Sequence, residues 1–241
     1  MNEDTRLNEW FVPKFGPLRF RIFIGLLFLP YTGMCISFTI IGSMLSSSIV
    51  WERAGAIAVI YALALGVSAH TADSLGSKKV KPWGNYFNKK QLWLLIMSSL
   101  VAAYSIGIYY MILYVPLLWI VAILEGFFVF SYNLELFQGY FHNDFWFAVS
   151  WGGLPLLAGF VIQTNSISVL SLISSIMAFL VAYTEIRISR KYKELKRKPQ
   201  DVVDFNAEKL ERSLKVISLL TISFAVLLTV CRYFIEHYNI L

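Results

Sequence analysis

Cysteine, histidine and charge are all scarce in this chain. Its 241 residues include two cysteines and three histidines, and only 15% are charged. Soluble domains carry about 25% charged and about 45–50% apolar residues. Here 57% are hydrophobic and 16% aromatic, more than one soluble core can hide, so lipid must solvate many of them. Cys35 and Cys231 both fall in apolar runs, where a free thiol acts as a small hydrophobe. No disulfide is expected, and the redox compartment is not readable from them. The chain has no P-loop, nucleotide-type glycine fingerprint, Cys-x-x-Cys or Gly-x-Ser-x-Gly. No run alternates with period 2, which excludes a membrane β-barrel pattern. The first 19 residues hold charges and two prolines, so no cleavable leader is expected. The net charge of +6 is concentrated in loops, where membrane topology explains it without a nucleic-acid partner.

What the chain does have is long apolar runs, each near the ~20 residues that cross a bilayer. An interfacial arm, 1–19, precedes a single transmembrane domain, 20–241. Seven spans are expected: Phe20–Leu45, kinked at Pro30 and Gly33, then Ala54–His70, Gln91–Tyr114, Leu117–Leu136, Phe145–Ile162, Ile167–Ile186 and Ser213–Phe234. Lys and Arg cluster in the arm, in the 74–90 loop (Lys78, Lys79, Lys81, Lys89 and Lys90) and in the 187–212 segment. The turns at 46–53, 115–116 and 163–166 carry one Arg and no Lys. The positive-inside rule therefore predicts a cytoplasmic N-terminus. The fold class is an all-α polytopic helical bundle, with the plasma membrane as its expected location and the lipid bilayer as its first partner. A membrane-protein partner is left open.

Two polar knots interrupt the apolar pattern, both on the predicted cytoplasmic side. One is His70-Thr71-Ala72-Asp73. The other is Tyr132–Asp144, YNLELFQGYFHND, with His142 between Glu135 and Asp144. His70 and Asp73, three apart, share a helix face. Glu135 and His142, seven apart, would share one if the helix persists through Gly139. Together, His70, Asp73, Glu135 and His142 make a two-His, two-carboxylate set suited to a divalent transition metal, with Asp144 as substitute or support. The plainer reading is that these residues only end their spans, with Asp73 as a cap. Glu125, mid-span in AILEGFF, is costly in hydrocarbon unless partnered. It marks either a site or a hydrogen-bonded structural carboxyl. The charge run RISRKYKELKRKPQ, 187–200, reads as a helical extension meeting headgroups. Alternatively, Arg187 or Arg190 holds a ligand phosphate. Glu185 reads as a helix-end ion pair, and His237, at the other end, as incidental.

Short outer turns alternating with larger cytoplasmic loops, and WGGLPLLAGF at Trp151–Phe160, resemble the UbiA superfamily of membrane prenyltransferases. That family carries Gly-x-x-x-Pro-x-x-Gly in its fifth span and an Asp-rich motif, N-D-x-x-D-x-x-x-D, after its second. His70–Asp73 falls at that place, with only Asp73 acidic and Ser77 nearby. A second Asp-rich motif belongs after span 6, where this chain reads TEIRISRKYKE, with Glu185 and Glu194 among basic residues. The resemblance implies a lipid-modifying enzyme acting on an isoprenoid or other lipid substrate. In it, Asp73, Glu135, Asp144 and Glu125 are candidate catalytic carboxylates, and Arg187 and Arg190 hold an anionic head. Because His replaces Asp, Zn, Fe or Mn is expected in preference to Mg. Two other readings stay open: a metal-dependent hydroxylase or desaturase, which would be short of histidines, and a non-enzymatic subunit or small carrier.

Overall fold

A computed structural model describes residue 7 and residues 9–76, 86–196 and 205–238. Among the described residues every regular element is helical. Lys78, Lys79, Lys81 and Ser77, and the end of the charge run beyond Lys196, lie outside them.

The first apolar run forms two helices, α1 (Leu18–Leu26) and α2 (Leu29–Met44), bent by 42°. The break is at Leu27–Phe28, upstream of the expected kink. Pro30 sits in the first turn of α2, where its missing N–H costs nothing, and the chain must reorient before it. Phe28 takes up the turn in a left-handed conformation (φ 46°). Gly33 stays helical and lies against Ile222.

Helix α3 (Trp51–Gly76) runs through the first polar knot, with a π-helical stretch at Ala62–Ala69. Helix α4 (Lys89–Leu113) starts on a reciprocal cap: Gln91 N–H donates to Asn88 Oδ1 (2.9 Å) and Asn88 N–H donates to Gln91 Oε1 (3.0 Å). Helix α5 (Leu118–Ser131) has 14 residues, about 21 Å at 1.5 Å per residue. Helix α6 (Asp144–Thr164) begins on an Asn143 cap and holds a second π-helical turn, Val149–Gly153. Helices α7 (Val169–Lys196) and α8 (Phe205–Tyr238) extend well past their apolar runs. Among the described residues, five helices are long and apolar enough to cross a membrane, or six if α1 and α2 form one span. The apolar α5 falls short of that length.

Close helix approaches build the bundle around α6. Gly42 of α2 lies on the Leu156 carbonyl, and Gly159 of α6 on the Thr39 carbonyl, so that no Cβ fits at either. Ser43 Oγ donates to the Gly159 carbonyl at 3.0 Å across this seam. On the next face, a Cβ at Gly152 would stand 2.6 Å from the Ala178 carbonyl of α7. The glycines of WGGLPLLAGF thus let α6 pack against α2 and α7 at once, as small residues do in membrane bundles. Pro155 removes an N–H and crowds the preceding turn, and the π turn directly before it absorbs that conflict.

Candidate functional site at one end of the bundle

The two polar knots meet. Gly76, the last residue of α3, lies against the carbonyl of Asn133, so the end of α3 touches the chain just after α5. Asp73 of α3 exerts its charge on Tyr132. From the other side, Arg190 of α7 forms an ion pair through Nε with Asp144 Oδ1 (2.7 Å) and places Nη2 3.5 Å from the Tyr132 hydroxyl. Tyr132 is buried and sits between the two knots and α7.

Aromatic rings continue the site inward. Tyr132 stacks on His142 (centroids 4.6 Å apart) and contacts Phe147 (5.9 Å), and Phe147 stacks on Trp151 (5.5 Å). Trp151 meets His70 at 4.7 Å, and the far side of His70 stacks on Phe28 at 5.5 Å. Lys193 Nζ lies 5.1 Å from the Phe28 ring and 5.8 Å from the Tyr31 ring, within cation–π range. Its charge reaches both His70 and the buried Glu185, which also faces Tyr31. The Nε2 atom of His70 is buried and has no hydrogen-bond partner among the described residues. Both rings of the His70–Trp151 contact sit at π-helical segments: Trp151 lies within one, and His70 follows the other. Such segments are frequent at functional sites.

The chain between α5 and α6 is not α-helical and holds only a distorted 3-10 turn at Phe137–Gly139, which corrects the expected shared face of Glu135 and His142. The helix stops at Ser131, and Glu135, Phe137, Gln138 and Gly139 all have φ between 50° and 80°. Non-glycine residues rarely adopt that conformation and keep it only where their surroundings impose it. His142 is brought back over Tyr132, with Nδ1 3.0 Å from the Tyr132 carbonyl. Glu135 is half-buried and engaged with its neighbours.

The other expected residues divide. Arg190 joins the site. Arg187 is exposed and lies over Tyr183 of its own helix at 5.7 Å. Glu185, read as a helix-end ion pair, is instead buried beside Tyr31 and Lys193. Glu125 stands apart in α5, where the Tyr61 hydroxyl donates to Oε1 at 3.0 Å. Among the described residues no three of His, Cys, Asp and Glu converge as a metal site would require. His142 Nδ1 faces the Tyr132 backbone carbonyl and Asp144 faces Arg190.

Six residues of the site had not been singled out as candidates: Phe28, Tyr31, Tyr132, Phe147, Trp151 and Lys193. Lys193 had a signal, since it follows Arg190 by three residues and so shares its helix face. Trp151 begins the glycine-rich motif. Nothing local marks Tyr31. No protein-family model matches the chain, and no curated protein or solved structure matches it.

Proposed function

We propose that the protein is a UbiA-like, multi-pass membrane enzyme that acts on an isoprenoid or other lipid substrate with an anionic head. The observation that carries this reading is the convergence of Arg190, Lys193 and the unpartnered His70 Nε2 on an aromatic floor where the apolar bundle ends. Arg190 presents a planar fork suited to phosphate oxygens, and Lys193 a compact charge. The rings of Phe28, Tyr31 and Trp151 suit the apolar part of the substrate. Their faces also stabilise positive charge that develops on carbon as a phosphate leaves. His70 is the candidate acid–base group, with Asp73 acting through Tyr132. No step is routed through a metal. The distribution of Lys and Arg supports a cytoplasmic position for this end. Counting α5 as a thin seventh span is part of the same reading.

The test uses the full chain in lipid nanodiscs. It is incubated with deuterium-labelled prenyl diphosphates and a total lipid extract, and products are followed by mass spectrometry. Labelled lipid should accumulate, and His70→Ala and Lys193→Ala should each reduce it at least tenfold while remaining monodisperse. Absence of any product or diphosphate release with the unaltered protein rejects the reading. The second reading, a small carrier, has Glu125 on its side, a carboxyl within an apolar helix. It requires solute or proton uptake into proteoliposomes that is lost in Glu125→Leu.

A further inference from the structure

Glu125 belongs to a second site, separate from the polar end. A crevice of about 60 Å³ lies between α3, α4 and α5, lined almost wholly by apolar side chains. Ile60, Ala64, Tyr104, Ala122 and Gly126 on its wall are only half-buried, so it reaches the outer surface of the bundle. That surface is apolar on both flanks, with Met97 and Val101 exposed on α4 and Ile123 and Phe127 exposed on α5. Whatever enters comes from the bilayer.

The crevice wall holds one unsatisfied polar atom. Glu125 is 8% exposed, its Oε1 accepts from Tyr61, and its Oε2 is buried with no partner among the described residues. The Tyr104 hydroxyl lies against Gly126, next along the helix, and donates to the Ala122 carbonyl at 2.8 Å, which leaves its own lone pairs free to accept. A buried polar atom in hydrocarbon needs a hydrogen-bonding partner, and acyl chains supply none at this depth. A hydroxyl can donate to Oε2 when the carboxylate is ionised, or accept from it when the carboxyl is protonated and then donate its own hydrogen onward to Tyr104. A carbonyl can only accept. The volume admits a few heavy atoms, enough for a hydroxyl and its neighbouring carbons but not for a whole ring system.

We propose that this crevice binds the hydroxyl end of a membrane-dissolved alcohol, a sterol or a long-chain isoprenoid alcohol, with Glu125 Oε2 and Tyr104 Oη as its polar contacts. The body of the lipid lies outside, along the apolar surfaces of α4 and α5. This site stands independently of the enzymatic reading of the polar end.

The experiment is photo-crosslinking of the full chain in phosphatidylcholine nanodiscs, with diazirine-bearing cholesterol and diazirine-bearing polyprenol tested separately and cross-links mapped by mass spectrometry. Label should concentrate on α3–α5 around Tyr61, Tyr104 and Glu125 with one of the two alcohols, which identifies the source. Excess unlabelled alcohol should compete, whereas the matching hydrocarbon should not. Glu125→Leu should lower labelling at least fivefold and Glu125→Gln, which keeps hydrogen-bonding capacity, should retain most of it. Ala122→Leu, which fills the crevice without touching the carboxyl, should also abolish it. Labelling spread evenly over all lipid-facing helices, or competed equally by the hydrocarbon, overturns the proposal. So does labelling unchanged in both Glu125→Leu and Ala122→Leu.

Discussion

The imidazole of His70 and the indole of Trp151 lie 4.7 Å apart at a tilt of 43°, and each is carried on a helix that departs from α-helical winding beside it. Helix α3 winds as a π-helix for the eight residues before His70, and α6 for the five that include Trp151. A π turn rotates everything beyond it relative to a regular helix, so the two rings meet only because both irregularities are present. Trp151 is 4% exposed and also stacks on Phe147. Trp151→Ala should therefore destabilise by roughly 3–5 kcal/mol, as core Trp→Ala changes do. Trp151→Phe should keep the fold and loosen His70. Thermal unfolding of both variants in detergent, read beside product formation, separates the two effects.

Arg190 tests a different balance. Its pair with Asp144 is short, but the side chains are 42% and 27% exposed. Half-exposed pairs contribute about 0–1 kcal/mol after screening. Arg190→Ala should thus barely move the melting temperature, yet weaken binding of a lipid diphosphate by at least tenfold. Arg190→Lys should not restore it, because a point charge cannot span Asp144, Tyr132 and a phosphate. Equal affinity in all three proteins, measured by microscale thermophoresis in nanodiscs, would remove Arg190 from the site.

The sequence exposes the spans because a bilayer demands long apolar runs, and it also marks the ends at which His70–Asp73 and Tyr132–Asp144 come together. Helix termini are less visible. Helices α7 and α8 continue through charged residues such as Arg190 and Glu211, where water or headgroups satisfy the outer face. The break at Phe28 was attributable to Pro30 but falls before it, as proline geometry requires. The π segments have no side-chain signature. The left-handed residues Glu135, Phe137, Gln138 and Gly139 have only Gly139 as a local cue, since the non-glycine residues there are held by their surroundings. The alignment of Glu135 with His142 on one helix face failed for that reason.

Gly159 and Gly55 should respond oppositely to alanine. A Cβ at Gly159 would collide with the Thr39 carbonyl, a backbone atom that cannot rotate away, whereas Gly55 has nothing within 4 Å. Gly159→Ala should cost about 1–3 kcal/mol or more, by forcing α2 from α6. Gly55→Ala should be neutral or stabilise by up to about 1 kcal/mol. Fluorescence-detected size exclusion after a heat step reads both.

The arm before α1 is held by Arg21 of α1, which donates through Nε to the Pro13 carbonyl (2.7 Å) and through Nη2 to the Leu7 carbonyl (3.3 Å), and is tied to the bundle by a tyrosine hydroxyl. Tyr192 of α7 lies 3.1 Å from Glu9 Oε2 and 2.9 Å from Glu211 Oε2, and Lys196 lies 3.6 Å from the Glu9 carboxylate. Above this, Phe11 packs on Phe28 at 4.8 Å, so the arm covers the aromatic floor of the site. Hydrogen bonds to charged groups contribute about 1.5–3 kcal/mol, and Glu9 is buried. Tyr192→Phe should release the arm, seen as faster hydrogen exchange over residues 9–17 with α6 unchanged. Exchange unaltered in the arm would mean that Arg21, Lys196 and the packing of Phe11 and Val12 hold it without this hydroxyl.

Charge predicts an orientation that can be tested at two positions. Lys89 opens α4 beside the polar end, and Ser166 lies in the exposed turn between α6 and α7 at the opposite end. Single cysteines are placed at each, with Cys35 and Cys231 changed to serine. A membrane-impermeant maleimide should label Ser166→Cys in intact cells and Lys89→Cys only after the membrane is opened. The reverse pattern would put Arg190, Lys193 and His70 on the outer face. A substrate made in the cytoplasm could not then reach them, and the enzymatic reading would need a lipid whose anionic head faces outward.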